Sequence, residues 1–345
     1  MLLPETATTA SLLLVLSVLF LVLWPNLFKA AGAKWRFELF SIDFAIGVIL
    51  VAIIAAYTLG TLGADLGFGD SMLVAGRRAE VMAVAAGAVF AFANMLYFGT
   101  IAMMGLSNGT LLTFSVFGCC VGLLHMGGGH VLTSFLSAVV FLAGAAATYL
   151  SAKSARGMST APTAATRPGG SKKSAPPMPL SMKGTITGIL AGLTFAAVWP
   201  VLSSAQTEEL GIGAYGGVLM AAIGVVVATF FLDFFFLNIS LEGGRISYAN
   251  YLDGTIRNHA LGAASGAAFT AGALAIYTAK TGTVTVPVFE AWSIPFAAAL
   301  IAVGTGVFFW QKLQLSPTAK RNKWAAALLF VVGSLLFLSG TLSAR

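Results

Sequence analysis

Residues 81–103 read VMAVAAGAVFAFANMLYFGTIAM, twenty-three consecutive positions without a charged side chain. A membrane helix needs about 20 apolar residues. A transmembrane β-strand would instead alternate apolar and polar side chains over about ten residues. The run is continuous, so it predicts a spanning helix. Nine more apolar blocks lie around it, at 9–30, 40–62, 106–126, 131–150, 184–204, 215–239, 258–279, 284–309 and 323–342. Of the 345 residues 58% are apolar and 9% charged, with a mean hydropathy of +0.91. A soluble domain is about 45–50% apolar and about 25% charged. The composition excludes a soluble globular protein, a nucleic-acid binder and a disordered chain.

One interval breaks the apolar pattern. Residues 151–182 hold Lys153, Arg156, Arg167, Lys172 and Lys173 and no acid, among Ser, Ala, Pro and Gly. Such a stretch cannot bury a core. It divides the chain into a first five-helix unit (1–150), a flexible basic linker (151–182) and a second five-helix unit (183–345).

Lys and Arg accumulate in cytoplasmic loops. One set of loops carries Lys29, Lys34, Arg36, the five linker residues with Lys183, then Arg245, Arg257, Lys312, Lys320, Arg321 and Lys323. The other side carries only Arg77, Arg78, Lys280 and Arg345. The bias puts the linker in the cytoplasm and both termini outside, in the plasma (cell inner) membrane. The N-terminus lacks the basic region of a cleaved signal peptide. Cys119 and Cys120 are adjacent inside an apolar run, which argues against a structural disulfide.

The two units repeat. Trp24-Pro25 in helix 1 matches Trp199-Pro200 in helix 6, 175 residues on. Gly87-Ala88-Val89-Phe90 in helix 3 matches Gly266-Ala267-Ala268-Phe269 in helix 8, and Gly105 before helix 4 matches Gly282 before helix 9. Five helices per unit is an odd number, so two copies must enter the membrane in opposite senses. The expected fold is an all-α integral membrane protein of about ten transmembrane helices, arranged as two inverted five-helix repeats. That is a common plan of secondary transporters.

Several segments, in order, resemble the ureide permease family within the ten-helix branch of the drug/metabolite transporter superfamily. They are Leu23-Trp24-Pro25, Asp43 opening helix 2, Ala86-Gly87-Ala88-Val89 running to Asn94, and Gly105-Leu106-Ser107. The polar central loop, Trp199-Pro200 and the aromatic helix 7 with Asn238 complete the pattern. The chain departs from it in a central loop shorter than that of plant members and without a phosphate-loop pattern. Trp310-Gln311-Lys312 also stands where many members carry Gly-Glu. The resemblance implies a permease for allantoin-like or pyrimidine-like solutes. A neighbouring branch takes up glucose or ribose.

An ionisable residue inside a bilayer is a functional candidate by default. Glu290 lies between Pro287 and Pro295, where prolines are expected to break helix 9 and free backbone carbonyls. It is a candidate for solute binding or proton coupling, or half of a structural pair with Lys280. Asp233, in the run Phe230-Phe231-Leu232-Asp233-Phe234-Phe235-Phe236, is the second proton-coupling candidate, or a helix–helix hydrogen-bonding group. Asp43 in the first turn of helix 2 suits the helix dipole. Trp24 and Trp199 are candidates to stack on a planar solute, or are interfacial belt residues. Asn94 and Tyr97 share a helix face and offer hydrogen bonds to a neutral polar solute, or to another helix. Thr113 is the positional counterpart of Glu290, so the two should face each other across a site on the repeat axis.

His125 and His130 flank Gly127-Gly128-Gly129 without a nearby Cys, Asp or Glu, so no metal is expected. No cofactor is implied. The expected partners are the solute, the lipid bilayer and protons, with a homodimer as a further option and no nucleic acid. The rival class is an intramembrane enzyme. It would need a nucleophile–base set or a metal cluster in the spans, and no such spacing is present.

Overall fold

The computed structural model describes residues 1–63, 66–128, 130–156, 180–205, 211–239, 241, 244, 246–281, 288–310 and 315–342, with the side chains of all these but 127–128, 156, 180–181, 288–292 and 341–342. The described chain is all-α, and ten of its helices are long and apolar enough to cross a membrane. They are α1 (Ala7–Ala31), α2 (Phe37–Tyr57), α3 (Arg77–Met104), α4 (Leu106–Leu124), α5 (Val131–Arg156), α6 (Leu180–Ser204), α7 (Ala214–Asn238), α8 (Ile256–Thr281), α9 (Val288–Thr305) and α10 (Pro317–Leu342). A π-helical turn, Gly306–Trp310, extends α9, and short helices lie at Phe68–Val74 and Ala249–Leu252.

Local chemistry sets the ends. Thr6 caps α1 by accepting a hydrogen bond from the Thr9 amide at 3.2 Å, and Thr9 Oγ1 accepts from the Thr6 amide at 3.3 Å. These two bonds satisfy donors that a helix start would otherwise orphan. Gly105 takes φ +81° and lets α3 stop and α4 begin with a single residue between them. Arg77, Arg78 and Glu80 form a charged first turn on α3, which carries it four residues beyond its apolar block. α5 overruns its predicted end at 150 because Ser151 and Ala152 are buried, with the Ser151 hydroxyl donating to the Ala319 carbonyl of α10 at 3.0 Å. The predicted interruption of helix 9 at Pro295 does not occur. α1, α6 and α9 run through Pro25, Pro200 and Pro295. Each proline removes only one helical donor, and the flanking turns hold the helix together.

Large apolar side chains such as Leu12, Leu19, Phe230, Phe231, Phe234 and Leu335 point outward, as a lipid-facing surface requires. Inside, the two units interleave. α3 packs on α6 and α7, and α8 packs on α1 and α2. α4 packs on α6, and α9 on α1. α2 meets α7, α4 meets α9, and α5 meets α10. Exchanging helix n for helix n+5 returns the same set of pairings.

The closest crossings obey the same exchange. A Cβ on Gly47 (α2) would lie 1.9 Å from the Ala263 carbonyl oxygen, and one on Gly266 (α8) 1.9 Å from that of Phe44. On the other side, a Cβ on Gly87 (α3) would lie 1.9 Å from the Ala221 oxygen, and one on Gly224 (α7) 2.0 Å from that of Val84. Small residues allow membrane helices this backbone-to-backbone approach. Here only glycine fits.

Candidate functional site

The interleaved helices enclose a central cavity of about 220 Å³, walled by α1, α3, α4, α6, α8 and α9. Phe90 and Phe269, which end the two matched Gly-Ala-x-Phe segments, stack at its middle with centroids 4.1 Å apart and planes 18° from parallel. Phe114, Phe117 and Phe195 add further rings. The wall is aromatic throughout, and its few polar atoms sit at definite places.

Trp24 lies at one end, buried, with edge contacts to Tyr97 at 5.3 Å and Phe269 at 5.1 Å. Its indole N–H donates to Asn94 Oδ1 at 3.1 Å. The Tyr97 hydroxyl is bonded to Thr110 Oγ1 at 2.8 Å. The indole N–H and the Tyr97 hydroxyl are therefore engaged inside the protein, and the cavity meets mainly ring faces here. Pro25 also leaves the Leu21 carbonyl, four residues back, without its helical donor.

Trp199 lies at the other end, partly exposed and five residues from the end of α6. Lys280 of α8 holds its ammonium 3.6 Å from the centre of the Trp199 ring, a cation–π contact. Among the described residues no carboxylate pairs with Lys280. One turn earlier on the same face, Tyr277 is 5% exposed and its hydroxyl has no hydrogen-bond partner.

Beyond the Trp24 end the bundle is shut by polar ties between the α1–α2 and α7–α8 connections. The Tyr251 hydroxyl donates to Asp43 Oδ1, and His259 Nδ1 lies 2.9 Å from the same oxygen. Trp35 packs on both rings. Arg36 pairs with Glu38 and donates to the Gly244 carbonyl, while Arg257 donates to the Ala30 carbonyl at 3.3 Å. Asp43 is buried, and its Oδ2 has no partner among the described residues. Burial, and then the hydrogen bond to Asp43 and its charge, hold the Tyr251 phenol above its ordinary range.

Of the sequence candidates, the cavity brings together Trp24, Tyr97 and Trp199. Asn94 is buried behind Trp24 and serves as its acceptor. Thr113 is fully buried, and its backbone oxygen lies against Gly192 of α6, which puts it at the α4–α6 contact and not on the cavity wall. Asp233 is buried away from the cavity, with Oδ1 unpartnered among the described residues. The side chain of Glu290 lies outside the described residues, and with it the expected facing of Thr113. His125 makes a packing contact, its Nδ1 2.9 Å from the Val121 carbonyl and its ring on Phe337.

The sequence reading gave no site role to Phe269, Tyr277 or His259, and weighed Lys280 only as a partner for Glu290. The repeat match ending in Phe90 and Phe269 was the available signal for the first. A histidine and a carboxylate 216 residues apart leave none.

No family model matches the chain, and no curated protein matches it in sequence. A solved structure, named only as the crystal structure of a protein, aligns over 96% of this chain and 96% of its own at a TM-score of 0.45 and 16% identity.

Proposed function

We propose that the chain is a secondary transporter in which α1–α5 and α6–α10 are inverted repeats that rock about the central cavity to give alternating access. The carrying observation is that both units line this cavity through equivalent residues, Phe90 with Phe269 and Trp24 with Trp199. One end of it is tied shut by Asp43, Tyr251 and His259. The solute is small and flat. A pyrimidine or ureide, the class implied by the ureide permease resemblance, would lie between aromatic faces that favour stacking. A glucose- or ribose-type sugar is the second reading, and the scarcity of free polar atoms on the wall counts against it. No bond-making chemistry is assigned to the chain.

Proton coupling falls to Glu290 or Asp233. For Asp233 the support is burial with an unpartnered oxygen. The basic loops put the Asp43 end and the linker in the cytoplasm of a plasma (cell inner) membrane.

The test is uptake of labelled uracil, allantoin and glucose by proteoliposomes, with and without an imposed pH gradient. Uptake of uracil or allantoin that Phe269→Ala abolishes in a folded protein supports the reading. Folded protein that moves none of the three refutes it. For orientation, single cysteines at 157–179 should react in intact cells only with membrane-permeant reagents.

A further inference from the structure

We propose that the transported solute carries an anionic group, a carboxylate or its equivalent, on a flat apolar body, and that Lys280 and Tyr277 receive that group at the Trp199 end of the cavity. The inference rests on the cavity being the solute site and names the solute's charge.

Three observations carry it. Lys280 is the only cation among the described residues that line the cavity. Tyr277, three residues before it on the same helix face, brings a hydroxyl that is buried, lines the same cavity and has no partner in the protein. Buried polar groups are ordinarily hydrogen-bonded, so an orphaned donor aimed into a cavity asks for an acceptor from outside. The ammonium supplies three donors and the phenol one, which matches the two oxygens of a carboxylate. Every other feature of the wall is apolar or aromatic, so the remainder of the solute must be flat and weakly polar.

The ordinary alternative is a lysine near a helix end that runs its stem along apolar surface and leaves its charge in water. Two facts weigh against it. The ammonium lies over the Trp199 ring at the cavity rim. The equivalent position in the first unit, 179 residues earlier, is Ile101, fully buried, so the packing at this point of the bundle does not require a charge.

The test uses the full chain in lipid nanodiscs and two matched pairs of probes, benzoate with benzamide and orotate with uracil. Binding is read from thermal stabilisation and from quenching of tryptophan fluorescence. In each pair the acid is expected to bind at least tenfold more tightly than its neutral partner. Lys280→Met should erase that difference, and Lys280→Arg should keep it. Tyr277→Phe should weaken the acids several-fold and leave the neutral probes unchanged. Two results overturn the inference: neutral probes that bind as tightly as the acids, or a Lys280→Met protein that retains the preference. In both cases the cavity still binds solutes and the transport reading survives. If none of the four probes binds a protein that melts cooperatively, the cavity reading and the anion inference fall together.

Discussion

Trp24 and Trp199 stand at equivalent places on α1 and α6, each followed by a proline, and their ring partners are equivalent too. Trp24 meets Phe98 edge-on at 6.3 Å and 67°, and Trp199 meets Tyr277 at 6.5 Å and 64°. The frame around the two indoles is nearly the same, but what fills it is not. Asn94, Tyr97 and Ile101 beside Trp24 become Ala273, Ile276 and Lys280 beside Trp199. One end therefore has a hydrogen-bonded, buried tryptophan behind a polar closure, and the other a half-open one under a cation. The repeated geometry of backbone and rings builds the cavity, and the residues that depart from the repeat give its ends different chemistry.

The largest effect should come from the part the ends share. Gly87 and Gly266 each face a carbonyl oxygen across a helix crossing, with no room for a Cβ. Gly87→Leu and Gly266→Leu are each expected to cost about 3 kcal/mol or more, since overpacking is compounded by a backbone clash. Loss of cooperative melting or of monodisperse protein would be the readout. Tolerance of one substitution beside failure of the other would show that the two crossings are not equivalent.

These crossings also mark how far the sequence could be read. The ten spans, their order and the matched glycines follow from apolar length and from a repeat that any alignment of the chain with itself reveals. The aromatic wall was half legible, because Trp24 and Trp199 are marked by their prolines. Phe195 and Phe114 have no such mark and are recognisable only once α4 and α6 pack. The Asp43 closure could not be read at all. Its three members come from α2, α8 and a four-residue helix, and only folding brings them within hydrogen-bond reach. Likewise Asn94 and Tyr97 look free in sequence, whereas their main polar bonds go to Trp24 and Thr110.

A smaller effect should separate the closed end from the open one. Asp43→Asn keeps the shape and removes the charge that holds His259 and Tyr251 together. A loss of about 1–3 kcal/mol is expected where a buried charged hydrogen bond is broken. The sharper measurement is access. A cysteine at Ser265, whose hydroxyl donates to the Trp24 carbonyl at 2.9 Å, is buried in the intact protein. With Cys119 and Cys120 replaced by alanine, that cysteine should react with thiol reagents at least tenfold faster in the Asp43→Asn protein. Lys280→Met, at the opposite end, should leave its rate unchanged. Equal rates with and without Asp43 would mean that the polar ties do not close this end.

The smallest effect tests the two tryptophans directly. Trp24→Phe keeps a ring in place but leaves the Asn94 amide oxygen, in a residue 2% exposed, without the indole donor. An unsatisfied buried acceptor costs about 1–3 kcal/mol. Trp199→Phe keeps a face for Lys280, and a cation over phenylalanine loses only part of an interaction worth about 0.5–1 kcal/mol at exposed sites. Thermal melting should therefore rank Trp24→Phe well below Trp199→Phe in stability. Phenylalanine also leaves a small void at position 24, so the ranking alone does not isolate the hydrogen bond. The double substitution Trp24→Phe with Asn94→Leu does, because removing both partners of a bond costs less than stranding one. It should recover part of the loss, with a coupling of about 0.5 kcal/mol or more between the two sites. Equal losses at the two tryptophans, or strict additivity of Trp24→Phe and Asn94→Leu, would make the closed end no more fixed than the open one.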